Sequence, residues 1–408
     1  MKCRGCNSDA FVMFIDLGLS PIANNLILLE HLDFKEPSLP LQVRTCSACG
    51  LVQLPEVSSR ALLFPTDYSY YSSYSTSWLA HSEQYVKQIV EKLALTERDF
   101  VVEVASNDGY LLQYFCGSGI TVLGIEPAAD VAKVAVQQRG IPTIVDFFGK
   151  DSAERLLLTY QKPTLMIANN VLAHVPDLHD FISGFSVILA DMGVVTFEFP
   201  HLLNLILLNQ FDTIYHEHYS YLSLTALVPI FAEHGLRIFD VKELSTHGGS
   251  LRVFVCRVDA SWKEEPSLKK CLALENAQDP RDENVALSVQ SRTQKVKLDL
   301  MNELSKAKEA GLCVAAYGAA AKGNTLLNFA GIKSDTIEYV IDLNPHKQGK
   351  YLPGSHIPVF GEEHLKMNPP DILLILPWNL ADEIGNQLGY LKEQGVKFLR
   401  AIPSLQYF

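Results

Sequence analysis

The sequence predicts an α/β protein, and three stretches carry that expectation. Two C-x-x-C pairs, Cys3/Cys6 and Cys46/Cys49, lie at the start of the chain. An apolar run at 101–104 breaks into Ala105-Ser106-Asn107-Asp108-Gly109 and resumes as a helix-like start at 110–115. A second run of this kind begins at 313–329. Strand, small-residue turn and helix is the pattern of a parallel sheet that binds a ligand at its carboxyl edge. The 408 residues exceed one ordinary domain. The expected order is a small metal-binding β subdomain at 1–60, a doubly wound sheet at 61–260, a helical connector at 261–310 and a Rossmann-like α/β domain at 311–408.

The two C-x-x-C pairs bring Cys3, Cys6, Cys46 and Cys49 to one tetrahedral centre, and a soft four-thiolate set selects Zn²⁺. Four protein ligands close the coordination sphere, so the metal is expected to be structural. The other four cysteines, Cys116, Cys256, Cys271 and Cys313, are scattered and read as inert buried thiols.

The turn at 105–109 is a poor phosphate cradle. It has no G-x-G-x-x-G and no G-K-[ST], and it carries Glu103 and Asp108. Carboxylates repel a pyrophosphate and suit a cationic ligand without phosphate. S-adenosylmethionine (SAM), with a sulfonium, an ammonium and a ribose, is such a ligand. Glu126-Pro127 ends the next strand, about 20 positions after a Gly-type loop, where an acidic residue takes ribose hydroxyls. Glu103, Ala105, Ser106, Asn107, Asp108, Gly109, Glu126 and Pro127 are the expected cofactor residues. The buried strand at 164–168 runs into Asn169-Asn170, with Asn169 expected on the cofactor side and Asn170 on the substrate side.

Several other stretches are informative. Segment 64–78 is rich in Tyr and Ser and reads as a surface connection or a lid. Residues 81–95 form an amphipathic helix with Tyr85, Val86, Ile89, Val90 and Leu93 inward. Segment 212–221 holds His216, Glu217, His218 and three tyrosines. It lacks H-E-x-x-H, so acid–base chemistry is favoured over metal. His247-Gly248-Gly249 precedes Arg252, a candidate substrate contact, and the glycines allow close approach of a ligand. Val285, Val289, Val296, Leu300 and Leu304 mark a long helix with a solvated charged face. The turn at 318–325 with Lys322 resembles an anion site at a helix N-terminus.

The net charge is −12 and the pI about 5.5, which opposes a broad nucleic-acid surface. No apolar run reaches the roughly 18 residues of a membrane span. The first residues lack a signal-peptide core, so a cytoplasmic location without a membrane partner is expected.

The motifs E-V-A-S-N-D-G-Y-L-L, N-N-V-L-A-H-V-P, Y-H-E-H-x-S-Y-L-S, H-G-G-S-L-R and Y-G-A-x-A-K-G-N-T-L-L-N follow the four-Cys segment in one order. In this the chain resembles the sugar C-methyltransferases of deoxysugar biosynthesis over essentially its whole length. That family places a methyl group on C-3 of a nucleotide-linked 4-keto-6-deoxy sugar. The resemblance implies a class I SAM methyltransferase sheet flanked by a zinc domain and a Rossmann-like domain. It places Tyr215, Glu217 and His218 beside the sugar, with His218 as base, and adds His174. Its lid tyrosine maps to Tyr70, although Tyr71 adjoins it and leaves the choice open. The nucleotide, of dTDP type, lies between the central and C-terminal domains, which implies Lys322 and Asn324. A monomer is expected.

Three rival readings stand beside this one. Asn368-Pro369-Pro370-Asp371 is similar to the N-P-P loop of nucleic-acid methyltransferases, but precedes a strand of the last domain. A nicotinamide-dependent sugar enzyme would use the C-terminal unit. A scaffold would bind neither cofactor.

Overall fold

The computed structural model describes residues 1–56 and 71–408. Tyr70, the expected lid tyrosine, lies outside the described residues. Among the described residues the chain builds three sheets.

The N-terminal sheet begins with β1 (Phe11–Pro21), β2 (Ser38–Cys46) and β3 (Val52–Gln53). All are antiparallel neighbours, and β1 bears two register shifts against β2. The central domain supplies β4 (Phe100–Val104), β5 (Thr121–Ile125), β6 (Thr143–Ile144), β7 (Leu165–Asn169) and β8 (Val194–Pro200). The short β9 (Ser220–Tyr221) leaves the central domain and joins the N-terminal sheet beside β3. The antiparallel pair β10 (Leu236–Leu244) and β11 (Ser250–Arg257) then completes the central sheet.

The central order is β10-β11-β8-β7-β4-β5-β6. Strands β6-β5-β4-β7-β8 are parallel, and β11 runs antiparallel to β8. The strand order reverses between β4 and β7, so a crevice opens at their carboxyl ends. Strands β4 and β7 are buried at every position, as expected for a sheet covered on both faces.

The C-terminal sheet contains β12 (Val314–Tyr317), β13 (Val340–Ile341), β14 (Val359–Phe360), β15 (Ile372–Ile375), β16 (Lys397–Arg400) and β17 (Gln406–Tyr407). Its order is β14-β13-β12-β15-β16-β17, parallel except for β17. Its own reversal lies between β12 and β15. The first turns of the helices that follow these two strands carry Lys322 and Trp378.

Two helices join the last two sheets. Pro266–Asn276 packs on the central domain, and Glu283–Glu309 is the long helix anticipated from its apolar spacing. Ala286, Val289, Val296, Leu300 and Leu304 on that helix share one core with Phe14, Ile15 and Val43 of the N-terminal sheet. Val314, Leu326 and Val340 of the C-terminal domain lie in the same core. Gln290 locks the helix to β1: the Asp16 amide donates to its Oε1 at 2.8 Å, and its Nε2 donates to Asp16 O at 3.2 Å. The helix is thus a shared wall as well as a connector.

The expectation of four buried scattered thiols needs correction. Cys256 and Cys271 are buried, but Cys116 is exposed and Cys313 half-buried. Cys116 closes a five-residue helix followed by the turn Gly117-Ser118-Gly119, whose small residues leave it open to solvent. Among the described residues no helix is long and apolar enough to cross a membrane.

Leu300 is fully buried on the shared helix. Leu300→Ala is expected to cost about 2–5 kcal/mol of stability through the lost contacts and the cavity left behind. A urea midpoint equal to that of the wild type would show that the shared core does not stabilise the protein.

Candidate active site and zinc knuckle

The four cysteines of the N-terminal segment converge. Their Sγ atoms all lie within 4.8 Å of one another. Cys3–Cys49 and Cys6–Cys46 are each 3.5 Å apart. A zinc tetrathiolate with bonds of about 2.3 Å has edges of roughly 3.8 Å, so the set fits that ion. Gly5 N and Gln53 Nε2 donate to Cys3 Sγ at 3.3 and 3.1 Å, as outer hydrogen bonds to a thiolate ligand should.

At the central crevice, the turn after β4 takes left-handed conformations at Ala105 (φ 57°), Asn107 (φ 50°) and Gly109 (φ 77°). Only Gly adopts these without cost, so the surroundings hold the turn. The Glu126 carboxylate accepts from Asn107 N and Ala128 N, each at 2.9 Å. It therefore braces the turn, in addition to its expected ribose role. Burial raises its pKa. Pro127 follows at the mouth of β5. Asp108 is buried against Arg139, which lies 3.6 Å away, and accepts from Ser73.

Glu103 is fully buried at the end of β4. Burial pushes its pKa well above the usual range, the Tyr110 hydroxyl pulls it down, and the nearby Glu126 and Asp108 push it up again. Among the described residues, the buried Ser106 Oγ and Asn169 Oδ1 have no hydrogen-bond partner. Buried acceptors without donors are costly. A ligand bringing an ammonium and hydroxyls fits them, as SAM does.

The acid–base segment lies across the same edge. His218 is fixed by two bonds: its Nδ1–H donates to Thr213 O at 2.8 Å, and its Nε2 accepts from the Tyr215 hydroxyl at 2.8 Å. The first bond sets the tautomer and leaves Nε2 as the basic atom. His174 donates through Nδ1 to Glu217 O at 2.8 Å, and its ring stands 4.6 Å from that of His218. Burial drives the His218 pKa well below its ordinary value, and the charges of His174, Lys322 and His247 add to this against the Thr213 hydrogen bond. His174 is also lowered by burial. Glu217 Oε1 accepts from Asn24 Nδ2 at 3.0 Å, and burial raises its pKa. His216 turns away to Pro40 O at 3.3 Å, so the His-x-His pair is split between two environments.

Asn170 and His247 link the loop after β7 to the loop before β11. Asn170 Nδ2 lies 3.3 Å from His247 Nε2. Burial and Lys322 hold His247 down at about 4. The expected glycines serve packing: a Cβ on Gly248 would strike the Trp378 ring, and one on Gly249 would strike Asn204. Arg252 is buried. It binds Glu198 and stacks 4.1 Å over the Tyr85 ring. Burial raises the Glu198 pKa, but the hydrogen bond from His81 and the charge of Arg252 outweigh it and bring it to about 2. Thr246 Oγ1 also donates to Glu198 at 2.9 Å.

From the C-terminal domain, half-buried Lys322 donates to Asn379 Oδ1 at 2.8 Å and lies 4.8 Å from the Trp378 ring. Burial lowers its pKa, and Asp212 raises it. Trp378 Nε1 donates to Asp212 Oδ2 at 2.6 Å, and burial lifts Asp212 to about 6 against the pull of Lys322. Asn324 is buried and donates to Ala23 O at 2.5 Å, a bond between domains. Tyr71 stands 6.3 Å from His346 of the C-terminal domain.

Thus His174, Tyr215, Glu217 and His218 come together, with Asn170 and Lys322 beside them. Arg252 and Asn324 are engaged within the protein. Asn24, Glu198, Asp212, Thr246 and Trp378 were not anticipated as site residues. Asp212 at the head of the His/Tyr-rich segment was the one with a local signal.

Comparison with known proteins follows this geometry. Three family models match: "Putative zinc binding domain" at residues 3–64, "Methyltransferase domain" at 78–241 and "C-methyltransferase C-terminal domain" at 245–403. A relative from Streptomyces niveus, "C-methyltransferase NovU", is 36% identical over 402 residues, spanning 98% of this chain and 95% of its own. Among solved structures, a magnesium protoporphyrin IX methyltransferase from Synechocystis with bound SAM is similar at 16% identity. That match covers 44% of this chain and 81% of the other, with a TM-score of 0.33. A SAM-dependent methyltransferase from Clostridium acetobutylicum is similar at 12% identity over 44% and 92% of the two chains, with a TM-score of 0.36.

The thiolate set predicts release of about one zinc per chain when a chelator is applied under denaturing conditions. A metal-sensitive dye reads the stoichiometry, and a value near zero would remove the metal.

Proposed function

The chain belongs to the C-methyltransferase family, and from that premise we propose that it methylates a carbon, C-3 by resemblance, of a nucleotide-linked 4-keto-6-deoxy sugar. The observation that carries this reading is the buried pair Tyr215–His218, with one ring nitrogen fixed as donor and the other left basic, beside His174 from the loop after β7. A keto group makes the adjacent C–H acidic, and a histidine within hydrogen-bond reach removes that proton. A neutral imidazole is needed for this step. Burial and the nearby Lys322 ammonium favour the neutral form of His218.

Removal of the proton leaves an enolate, whose oxygen needs donors already in place. Glu217, held toward its protonated form by burial, is the donor at hand, because the one hydroxyl proton of Tyr215 is given to His218 Nε2. Glu103 and Asn169, the latter with its buried Oδ1 unpartnered among the described residues, would hold the cationic end of SAM, and Glu126 would face its ribose. SAM bound in that crevice supplies an electrophilic methyl group on sulfur for the carbanion. Lys322, at the seam with the C-terminal domain, offers the charge a diphosphate requires. Zinc takes no part in the chemistry, because four thiolates leave no open position.

The decisive experiment mixes the protein with SAM and a dTDP-linked 4-keto-6-deoxyhexose and looks for a singly methylated sugar by mass spectrometry. No product with any keto-sugar nucleotide would overturn the substrate class. His218→Ala is expected to abolish turnover while SAM affinity stays near wild type. Normal turnover there would place the base elsewhere.

The pH profile gives a separate check. His218 works when neutral, and its pKa is depressed, so the acid limb of kcat is expected below the ordinary histidine value of about 6.5. Lys322→Met removes a cation that lowers this pKa, and the limb should move to higher pH. A shift to lower pH, or none, would dissociate the limb from His218.

A further inference from the structure

The zinc knuckle and the acid–base segment are far apart in sequence, yet hydrogen bonds join them without a gap. Arg4 lies between the ligands Cys3 and Cys6. Its backbone N–H donates to Gln53 Oε1 at 3.1 Å. Its Nη1 donates to Leu54 O at 2.6 Å and to Tyr219 O at 3.2 Å, 215 residues along the chain. The guanidinium also sits 5.1 Å from the centre of the Tyr219 ring. Gln53, fully buried, donates to Cys3 Sγ at 3.1 Å.

Gln53 is also a residue of β3, which pairs with β9: Val52 faces Tyr221 and Gln53 faces Ser220. Leu54 N adds a bond to Tyr219 O at 3.0 Å, and Tyr219 N donates to Ala173 O at 2.8 Å. Tyr219 follows His218 directly, and Ala173 precedes His174. The same few peptide groups therefore carry both the edge of the zinc knuckle and the two histidines of the site.

We propose that Arg4 and Gln53 are positioning residues that register His218 against the zinc knuckle. They act through β3, β9 and the Tyr219 carbonyl. A thiolate ligand is a strong acceptor, so the bond from Gln53 to Cys3 holds the β3 side chain in one rotamer. Arg4 then bridges the two carbonyls at the point where β9 begins. Loss of either contact leaves the knuckle whole but frees the backbone next to the base. An error of an ångström in the base is enough to cost orders of magnitude in rate. The consequence for turnover rests on His218 being the base; the structural link does not.

The test compares Arg4→Met, which keeps the length and removes the donors, with Arg4→Lys, which returns one charge. Zinc content, SAM affinity by calorimetry, kcat and amide hydrogen exchange are read on the full chain. Arg4→Met should keep its zinc and its SAM affinity. Its kcat should fall about 10- to 100-fold, and exchange should quicken at 213–221 but not at 100–109. Arg4→Lys should recover part of both losses. Wild-type kcat and exchange in Arg4→Met would overturn the proposal, as would faster exchange spread evenly over the central sheet.

Should Arg4→Met fail to fold, chelation of zinc from the wild-type protein gives the second reading. Exchange at 213–221 should then rise before that of β4 and β7, and unchanged exchange would overturn the link. If His218→Ala retains turnover while Arg4→Met still loosens 213–221, the base assignment fails and the positioning role stands.

Discussion

The fold depends on burying one polar segment. Residues 212–221 carry Asp212, His216, Glu217, His218 and three tyrosines, and Asp212, His216, Glu217 and His218 are all buried. Polar groups taken from water must find partners inside, or the segment is expelled. Here each of the three sheets contributes. The central domain supplies Ala173 O and the segment's own Thr213 O, the N-terminal domain supplies Asn24, Pro40 O and β3, and the C-terminal domain supplies Trp378. The segment is the place where three chemically different surfaces agree on one conformation.

The electrostatics of the two halves of the crevice are opposite. Around the turn after β4 stand Glu103, Asp108 and Glu126, with Arg139 answering Asp108. Around His218 stand His174, His247 and Lys322, and each disfavours a positive charge on the imidazole. The first half suits a cationic cofactor. Displaced pKa values of this kind cluster at functional sites. Glu198 shows the contrasting case. Its pairing with His81 and Arg252 pulls it down to about 2, as a buried structural ion pair does.

How much of this was legible in the sequence follows from range. The C-x-x-C pairs, the turn after β4 and the apolar spacing of Glu283–Glu309 are local patterns, and each leads to its element. The helix at 81–95 was read correctly in type but too late at its start: the structure begins it at Thr76, where Ser75 caps the N-terminus by accepting from Trp78 N. Arg252 looked like an exposed ligand contact because its partner Glu198 lies on the neighbouring strand. Gly248 and Gly249 suggested room for a ligand, and the room is taken by Trp378 and Asn204. No local spacing reports a contact with a residue more than a hundred positions away. Asn24 and Trp378 were invisible for the same reason.

The domain divisions read along the chain do not match the divisions of the hydrophobic core. Phe14, Ile15 and Val43 of the N-terminal sheet share one core with Leu300 of the long helix and Val314, Leu326 and Val340 of the C-terminal domain. Cys3, Cys46 and Leu51, from the other end of the same small domain, belong to the core of the central domain. The zinc domain is thus split between two cores. Large buried apolar interfaces resist relative motion, whereas small polar ones permit it. The first and last domains are therefore one mechanical body on the side of the long helix. The same core also takes Leu202, Phe211 and Ile214 of the central domain, so the polar groups Asp212, His247, Lys322 and Trp378 sit beside an apolar contact, Phe211 against Phe329. The zinc knuckle lies where the two cores meet, with Val43 in one and Cys46 in the other.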